Sequence, residues 1–262
     1  MNEKIENLLK EDRKFPPSEE LVKNANAPSS WYDEANEDRL KFWQKQALTR
    51  ISWFKEPTEI LDDSNPPFFK WFKDGELNLS YNCLDRHLES DGDRVAFYWE
   101  GEPGDTQKIT YQDLYERVCK LSNAMKKLGV EKGDRVAIYL GMTPEIVVSM
   151  LACARIGAVH SVVFGGFSSE ALADRINDAK AKTVITADGA WRRGDIVPLK
   201  NNVDGSLELT EYVENVIVVK RTEQEINMTD GRDHWYHDIT DKESSDCEPE
   251  VMNSEDMLYI LY

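Results

Sequence analysis

Short apolar segments alternate with amphipathic segments between residues 135 and 219. The pattern predicts strands at Arg135–Leu140, Ala158–Phe164, Lys182–Thr186 and Val216–Val219, and helices at Pro144–Ile156, Ser168–Lys180 and Val197–Leu207. Strands that are nearly continuously apolar and are separated by helices are typical of a parallel sheet with both faces covered. The sequence therefore predicts an α/β fold built on a helix-covered parallel sheet.

A β-hairpin and a long helix are predicted immediately before this sheet. The segments Arg94–Glu100 and Lys108–Tyr111 flank the turn Gly101-Glu-Pro-Gly104, which is the pattern of a hairpin. Thr110 follows as a helix cap, and apolar residues recur at helical spacing over Tyr111–Leu128. The hairpin and helix are expected to belong to the α/β domain.

The first part of the chain has a different pattern, with aromatic doublets separated by turn signals. We interpret residues 1–88 as an irregular, helical cover over the next domain, and residues 89–262 as the first part of the α/β domain. An aromatic ligand site is the alternative interpretation of the doublets. Aromatic rings in a cover would each bury about 150–250 Å².

The last part of the chain predicts a surface loop and a strand. Residues 241–256 are strongly acidic and predict a solvated loop. Met257–Tyr262 is an apolar run that predicts a buried strand, with no turn or cap after it. We therefore expect the chain to be a piece of a longer protein.

Composition changes the range of possible functions. The 262 residues contain 49 acidic and 32 basic side chains, for a net charge of −17. Such a surface repels nucleic acid and anionic membranes, and neither is expected as a partner. The apolar run Ile146–Ala154 is shorter than the roughly 20 residues that span a membrane. The sequence carries no signal that predicts whether the protein is a monomer or an oligomer.

Several features indicate a cytoplasmic protein. Residues Met1–Lys10 show no secretory signal, and the cysteines are scattered without metal-site or disulfide spacing. Cys119 and Cys153 fall within predicted helices and are expected to be buried free thiols. His160 is expected to be a satisfied core residue, and metal binding by His234 and His237 is disfavoured.

Two loops are candidates for ligand binding. In one, a strand runs into Gly165 and Gly166, and backbone N–H groups there and at the next helix start suit an anion, although a plain tight turn fits equally well. In the other, Arg192 and Arg193 follow the third strand, where ligands bind in parallel sheets. Surface arginines paired with nearby carboxylates are the alternative there. No complete catalytic constellation is present, and a hydrolase is disfavoured because the nucleophile-elbow pattern is absent.

Several motifs together resemble the AMP-forming acetyl-CoA synthetases of the adenylate-forming superfamily. They are Ser64-Asn-Pro-Pro-Phe-Phe-Lys-Trp-Phe72, Leu77–His87, Trp99-Glu-Gly-Glu-Pro-Gly-Asp105, Met150–Gly157, His160–Ser168, Thr186–Gly194 and Asp256–Tyr262. The resemblance runs from about Phe15 to Tyr262, which is far more specific than any single motif.

The resemblance implies an acetate–CoA ligase that forms acetyl-adenylate from ATP and acetate and then acetyl-CoA, AMP and diphosphate. It also implies that the ATP and magnesium sites, the acyl pocket and the mobile C-terminal domain lie downstream of Tyr262, so that this chain alone is inactive. Two alternatives stay open. One is a non-catalytic module that binds CoA, another nucleotide or a subunit; the other is a ligase for propionate or acetoacetate.

The resemblance further implies that the chain carries part of the CoA site and neither a catalytic residue nor a metal ligand. The implied CoA-binding residues are Phe164, Gly165, Gly166, Arg192, Arg193, Gly194 and Asp195. The arginine at position 192 is expected to bind a phosphate of the nucleotide end. Asp195 stands where the family usually has Lys or Arg, which predicts either weaker CoA binding or compensation by Arg193, and Gly141 stands where Pro is common.

Overall fold

The structure is a computed structural model that describes residues 13–262. The chain forms two compact units that divide between Thr49 and Arg50. The domain boundary expected between residues 88 and 89 stays a prediction. Residues Met1–Lys10, for which no secretory signal is predicted, lie outside the described part.

The first unit is helical. Its helices from residue 13 onwards are α1 (Glu19–Lys23), α2 (Ser30–Glu37) and α3 (Arg39–Arg50), the last of which ends one residue past the division. Phe42 is buried and meets Trp31 edge to face, with ring centroids 6.0 Å apart. Aromatic packing within a helical segment therefore accounts for these two members of the doublets.

The second unit begins with short elements that the sequence pattern does not resolve. They are β1 (Leu61–Asp62), β2 (Lys70–Trp71), β3 (Glu76–Leu77), α4 (Leu79–Cys83) and α5 (Asp85–Asp91). The Asn78 side-chain amide donates to the carbonyls of Ala154, Arg155 and Glu250. This buried amide fastens the aromatic-rich segment to the end of a helix of the α/β core.

The predicted hairpin and helix are confirmed. Strands β4 (Val95–Glu100) and β5 (Thr106–Thr110) pair antiparallel, and α6 (Tyr111–Lys127) follows at once. The Thr110 hydroxyl accepts from the Asp113 N–H while the Asp113 carboxylate accepts from the Thr110 N–H. This capping box stabilises the start of the helix.

Six parallel strands form the central sheet, in the order β12, β11, β8, β6, β7, β14. Their bounds are β6 (Arg135–Leu140), β7 (Val159–Phe164), β8 (Thr183–Ala187), β11 (Asn215–Val219), β12 (Asp233–Trp235) and β14 (Tyr259–Ile260). Ile138, Ile185 and Ile217 are fully buried at the centres of three of these strands. Burial on both faces explains their continuous apolar sequences.

Helices cover both faces of the sheet. The remaining elements are α7 (Pro144–Arg155), α8 (Ser169–Ala179), β9 (Ala190–Arg192), β10 (Asp195–Val197), α9 (Leu199–Leu207), α10 (Tyr236–Thr240) and β13 (Met252–Asn253). The right-handed rule places α7 and α8 on opposite faces, because β7 and β8 lie on opposite sides of β6. Helix α6 packs against α7, and α9 packs against α8. The predicted α/β fold is therefore confirmed.

Three expectations need correction. The helix expected from Val197 begins at Leu199, because Val197 pairs with Ala190 in β10. Only Tyr259 and Ile260 of the expected buried strand Met257–Tyr262 join the sheet, and at its edge Tyr259 is 54% and Leu261 77% exposed. The acidic segment 241–256 is not simply solvated, because Cys247 within it is buried.

The cysteine expectation is confirmed for the two helical thiols. Cys119 and Cys153 are buried and free. Burial raises the pKa of Cys119 to about 11 and that of Cys153 to about 12, so both thiols are protonated at neutral pH. None of the helices within residues 13–262 has the length and apolarity that crossing a bilayer requires.

Candidate functional site

A cavity of about 320 Å³ opens at the carboxyl end of the central sheet. Loops after β6, β7, β8 and β11 line it, together with the end of β4 and the hairpin turn that follows. Strands β7 and β8 lie on opposite sides of β6, so the connection from β6 to β7 and the connection from β7 to β8 run over opposite faces of the sheet. Crevices at such points are where α/β sheets bind ligands. The cavity is therefore the candidate site.

The first candidate loop forms one wall of this cavity. Phe164, Gly165 and Gly166 all line it, and the Phe164 ring is 57% exposed. A Cβ atom on Gly166 would lie 2.3 Å from Nη1 of Arg192, so a side chain there would displace the guanidinium. The second glycine is thus explained by the close approach of an arginine from the other candidate loop.

The second candidate loop is a tight hairpin. Strands β9 and β10 pair antiparallel, and the two residues between them, Arg193 and Gly194, have φ values of 57° and 83°. Two successive positive φ angles define a type I′ turn, in which glycine is favoured and arginine is unusual. The turn places Arg192 and Asp195 directly opposite each other on the ladder.

The structure brings the two candidate loops together at Arg192. Its guanidinium carbon lies 5.0 Å from the centroid of the Phe164 ring, a cation–π arrangement, and the side chain lines the cavity. Arg193, Gly194 and Asp195 are exposed residues at the hairpin tip and do not belong to the cavity lining. Four of the seven expected site residues, Phe164, Gly165, Gly166 and Arg192, therefore share the cavity.

Sequence reasoning missed the residues that close the opposite side of the cavity. Arg221 lies just past the carboxyl end of β11. Its two terminal guanidinium nitrogens, Nη1 and Nη2, contact the carboxylate oxygens of Asp105 at 2.9 and 3.0 Å. Its guanidinium carbon lies 5.1 Å from the Trp99 ring, and the Trp99 indole N–H donates to the Met142 carbonyl at 2.8 Å. The position of Arg221 after a parallel strand is a signal that could have found it.

Asp188 organises the cavity wall from beneath. Its carboxylate is fully buried and accepts backbone N–H groups from Gly189, Arg221, Thr222 and Glu223, with the shortest contact to each at 2.7–2.9 Å. These bonds fix the loop after β11 against the end of β8. The Asp188 carboxylate thereby determines where Arg221 enters the cavity.

Thr143 adds a polar group to the inner wall. It lies just before Pro144, the first residue of α7, and is 8% exposed. Its hydroxyl oxygen has no hydrogen-bond partner among the described residues and does not cap the helix. A buried hydroxyl of this kind, together with the N-terminus of a helix, suits a polar ligand.

The histidines lie away from this cavity. His160 is buried as expected, but its Nδ1 finds no hydrogen-bond partner within residues 13–262, so it is not fully satisfied. Burial lowers the pKa of His160, which keeps the ring neutral at pH 7. His234 lies in β12, with Nε2 3.2 Å from Oδ1 of Asn215, while Nε2 of His237 contacts Oδ1 of Asp238 at 3.3 Å. Over residues 13–262 no three His, Cys, Asp or Glu side chains converge in a metal-binding group.

Comparison with known proteins identifies the family. Residues 84–262 match the family described as AMP-binding enzyme, and residues 29–83 match the family described as acetyl-coenzyme A synthetase N-terminus. The chain is 58% and 56% identical, over its whole length, to acetyl-coenzyme A synthetases of Streptomyces avermitilis and Streptomyces coelicolor. It is also 51% identical, over 95% of its length, to the enzyme of that name from Mycolicibacterium smegmatis.

The extent of these matches is uneven between the chain and its relatives. The whole chain aligns, but it spans only 40% of the length of each Streptomyces relative and 26% of the Mycolicibacterium relative. Because the AMP-binding match covers most of the chain and the fold is the parallel α/β sheet expected for it, the chain belongs to the AMP-binding enzyme family.

Proposed function

We propose that this chain is the N-terminal part of an acetate–CoA ligase and that its cavity binds the nucleotide end of CoA. The whole enzyme would join ATP and acetate into acetyl-adenylate with release of diphosphate. The CoA sulfur would then attack the acyl carbon, giving acetyl-CoA and AMP. Two family matches in tandem and the relatives' names support this proposal.

The observation that carries the CoA proposal is the position of Arg192. Its guanidinium lies over the Phe164 ring and against Gly166, at the edge of an aromatic-lined cavity. The nucleotide end of CoA combines a planar base with phosphates. An aromatic wall suits the base, and an arginine fork suits a phosphate.

The roles proposed for this chain are binding and orientation. Arg192 would hold a phosphate, Phe164 would contact the nucleotide, and the backbone of Gly165 and Gly166 would allow its close approach. Arg193, Gly194 and Asp195 would lie at the rim, where the Asp195 carboxylate would oppose the phosphate charge. These groups fix the distant end of CoA and move no proton, so they would affect CoA capture rather than adenylate formation.

ATP and Mg²⁺ are proposed as the cofactor and metal of the whole enzyme. Adenylate formation separates diphosphate, and Mg²⁺ would neutralise charge on the phosphates as they part. Acetate is proposed as the acid because the relatives carry its name.

The alternative to a ligase is a non-catalytic module. Such a module would bind CoA, another nucleotide or a subunit without belonging to a ligase. The family matches favour the ligase. The acid could still be propionate or acetoacetate, and activity of the whole enzyme on the three acids would separate these cases.

Replacing Arg192 with alanine in the whole enzyme is expected to raise KM for CoA by about 10- to 100-fold, the value of a lost charge-assisted hydrogen bond. Acetate-dependent ATP–diphosphate exchange, which needs no CoA, is expected to stay within about twofold of the wild type. Arg94→Ala is a matched control, because this exposed arginine pairs with Asp91 and lies outside the cavity lining. An equal loss of exchange and CoA-dependent activity in Arg192→Ala would contradict the assigned role.

A further inference from the structure

The turn between β4 and β5 crosses to two different loops at the mouth of the cavity. We call residues Gly101–Asp105 the tip loop. At one end Asp105 forms the two-pronged ion pair with Arg221. Near the other end the Glu102 carboxylate accepts the backbone N–H of Gly194 in the type I′ turn. The tip loop is thus tied to the loop after β11 and to the arginine hairpin.

The connection through Asp105 combines an ion pair with Arg221 and close packing around that pair. A Cβ atom on Gly101 would lie 2.2 Å from Oδ1 of Asp105 and 2.6 Å from Nη2 of Arg221, so a side chain at this position would displace the ion pair. The Arg221 guanidinium also lies over the Trp99 ring. This end of the tip loop is therefore held to the cavity wall by an ion pair and by ring packing.

The Glu102 connection has a different character. Glu102 lines the cavity and is exposed, and within residues 13–262 its carboxylate accepts a hydrogen bond from one backbone N–H. That N–H belongs to Gly194, two residues from Arg192 and next to Arg193. A backbone N–H in a turn that also carries two arginines is a favourable position for an anion. In this structure a carboxylate of the protein occupies it.

We propose that Glu102 is a displaceable latch that competes with a ligand phosphate for the Gly194 N–H. This inference rests on the proposed function, in which the cavity binds the nucleotide end of CoA. A phosphate held by Arg192 meets the Glu102 carboxylate as a like charge, so the carboxylate moves away when the phosphate binds. The latch makes phosphate binding weaker than the arginines alone would allow. Glu102 is therefore a positioning and specificity residue of the CoA site.

The latch would act differently on phosphorylated and unphosphorylated ligands. A ligand without phosphate gains nothing from displacing Glu102 and leaves the latch closed. A phosphorylated ligand exchanges the carboxylate for its own phosphate on the same N–H. The Glu102 carboxylate would thus lower the advantage that the arginines give to a phosphorylated ligand over an unphosphorylated one.

The test is a titration of the 262-residue chain with CoA, and in parallel with adenosine, which carries no phosphate. Glu102→Gln keeps the shape of the side chain and removes its charge. It is expected to bind CoA about 3- to 10-fold more tightly than the wild type at low ionic strength, because a like-charge contact is removed. The affinity for adenosine, followed by ligand-detected NMR, is expected to change by less than about twofold. Glu89→Gln, an exposed helix position outside the cavity lining, makes the same change in net charge and controls for it.

Two results separate the latch from the CoA site itself. If Arg192→Ala weakens CoA binding while Glu102→Gln binds CoA as the wild type does, the CoA site stands and the latch is wrong. Equal tightening of CoA and adenosine in Glu102→Gln would also overturn the latch. If neither the wild type nor Glu102→Gln binds CoA, the proposed function of the cavity fails, and the latch fails with it.

Discussion

Replacing Asp188 with alanine is expected to lower the free energy of unfolding by about 3–5 kcal/mol. The carboxylate is fully buried and accepts four different backbone N–H groups, from Gly189 and from residues 221–223. Each buried donor that is left without a partner costs about 1–3 kcal/mol, and water entering the space recovers part of the sum. Denaturant unfolding with linear extrapolation measures the change.

Two further variants make the Asp188 result specific. Asp188→Asn keeps the volume and one carbonyl oxygen but turns an NH₂ group towards some of the donors, so an intermediate loss of about 2 kcal/mol is expected. Asp63→Ala, an exposed aspartate, is expected to change stability by less than about 0.5 kcal/mol. A loss below about 1 kcal/mol in Asp188→Ala would contradict the buried network.

Replacing Arg155 with methionine is expected to lower the free energy of unfolding by about 2–4 kcal/mol. The Arg155 side chain is 1% exposed, and its two terminal nitrogens bind Asp85 at 2.8 and 2.9 Å. Its Nε donates to the Cys247 carbonyl at 2.5 Å, and its guanidinium carbon lies 5.1 Å from the Tyr115 ring. Methionine preserves much of the packing but leaves Asp85 without its cation.

A double variant distinguishes loss of the ion pair from loss of packing. Burial by itself would lower the pKa of Arg155, but the hydrogen bonds to Asp85, together with its negative charge and the charge interactions with neighbouring groups, outweigh burial and raise that pKa. Adding Asp85→Asn to Arg155→Met removes the uncompensated charge. The double variant is therefore expected to lose less free energy of unfolding than the two single variants lose together. Strict additivity of the two substitutions would contradict a coupled pair.

The central sheet was predictable because each of its long strands is buried on both faces. The apolar runs at Arg135–Leu140 and Val216–Val219 do not alternate between apolar and polar residues. In the structure both form inner strands of the sheet. Strands of two or three residues carry no such signal. For this reason β9 and β10 were not recognised, and the helix boundary expected at Val197 was misplaced.

The edge of the sheet shows a second limit of the pattern. Met257–Tyr262 is apolar enough to predict a buried strand, yet only Tyr259 and Ile260 pair, and they pair with one neighbour. An apolar sequence reports the propensity to be buried and does not report which partners are present. The acidic segment around Cys247 shows the converse, because a polar sequence predicts exposure but a distant partner buries part of it. The Cys247 carbonyl accepts a hydrogen bond from Arg155, which is 92 positions away along the chain.

The candidate site was predictable where it lies in short loops after strands. The two glycines after β7 and Arg192 after β8 were recognised from local sequence, and they meet in the cavity. Glu102 and Asp105 were not recognised, because their partners Gly194 and Arg221 are 92 and 116 positions away along the chain. Only the folded structure shows which of the many carboxylates face an arginine loop.

The most direct test of the central claim is a calorimetric titration of the 262-residue chain with CoA, for the wild type and for Arg192→Ala. We expect the wild type to bind one CoA per chain saturably and Arg192→Ala to bind CoA at least about tenfold more weakly, which is about 1.4 kcal/mol. Equal affinities in the two proteins, or no saturable binding by the wild type, would contradict the claim that this cavity binds the nucleotide end of CoA.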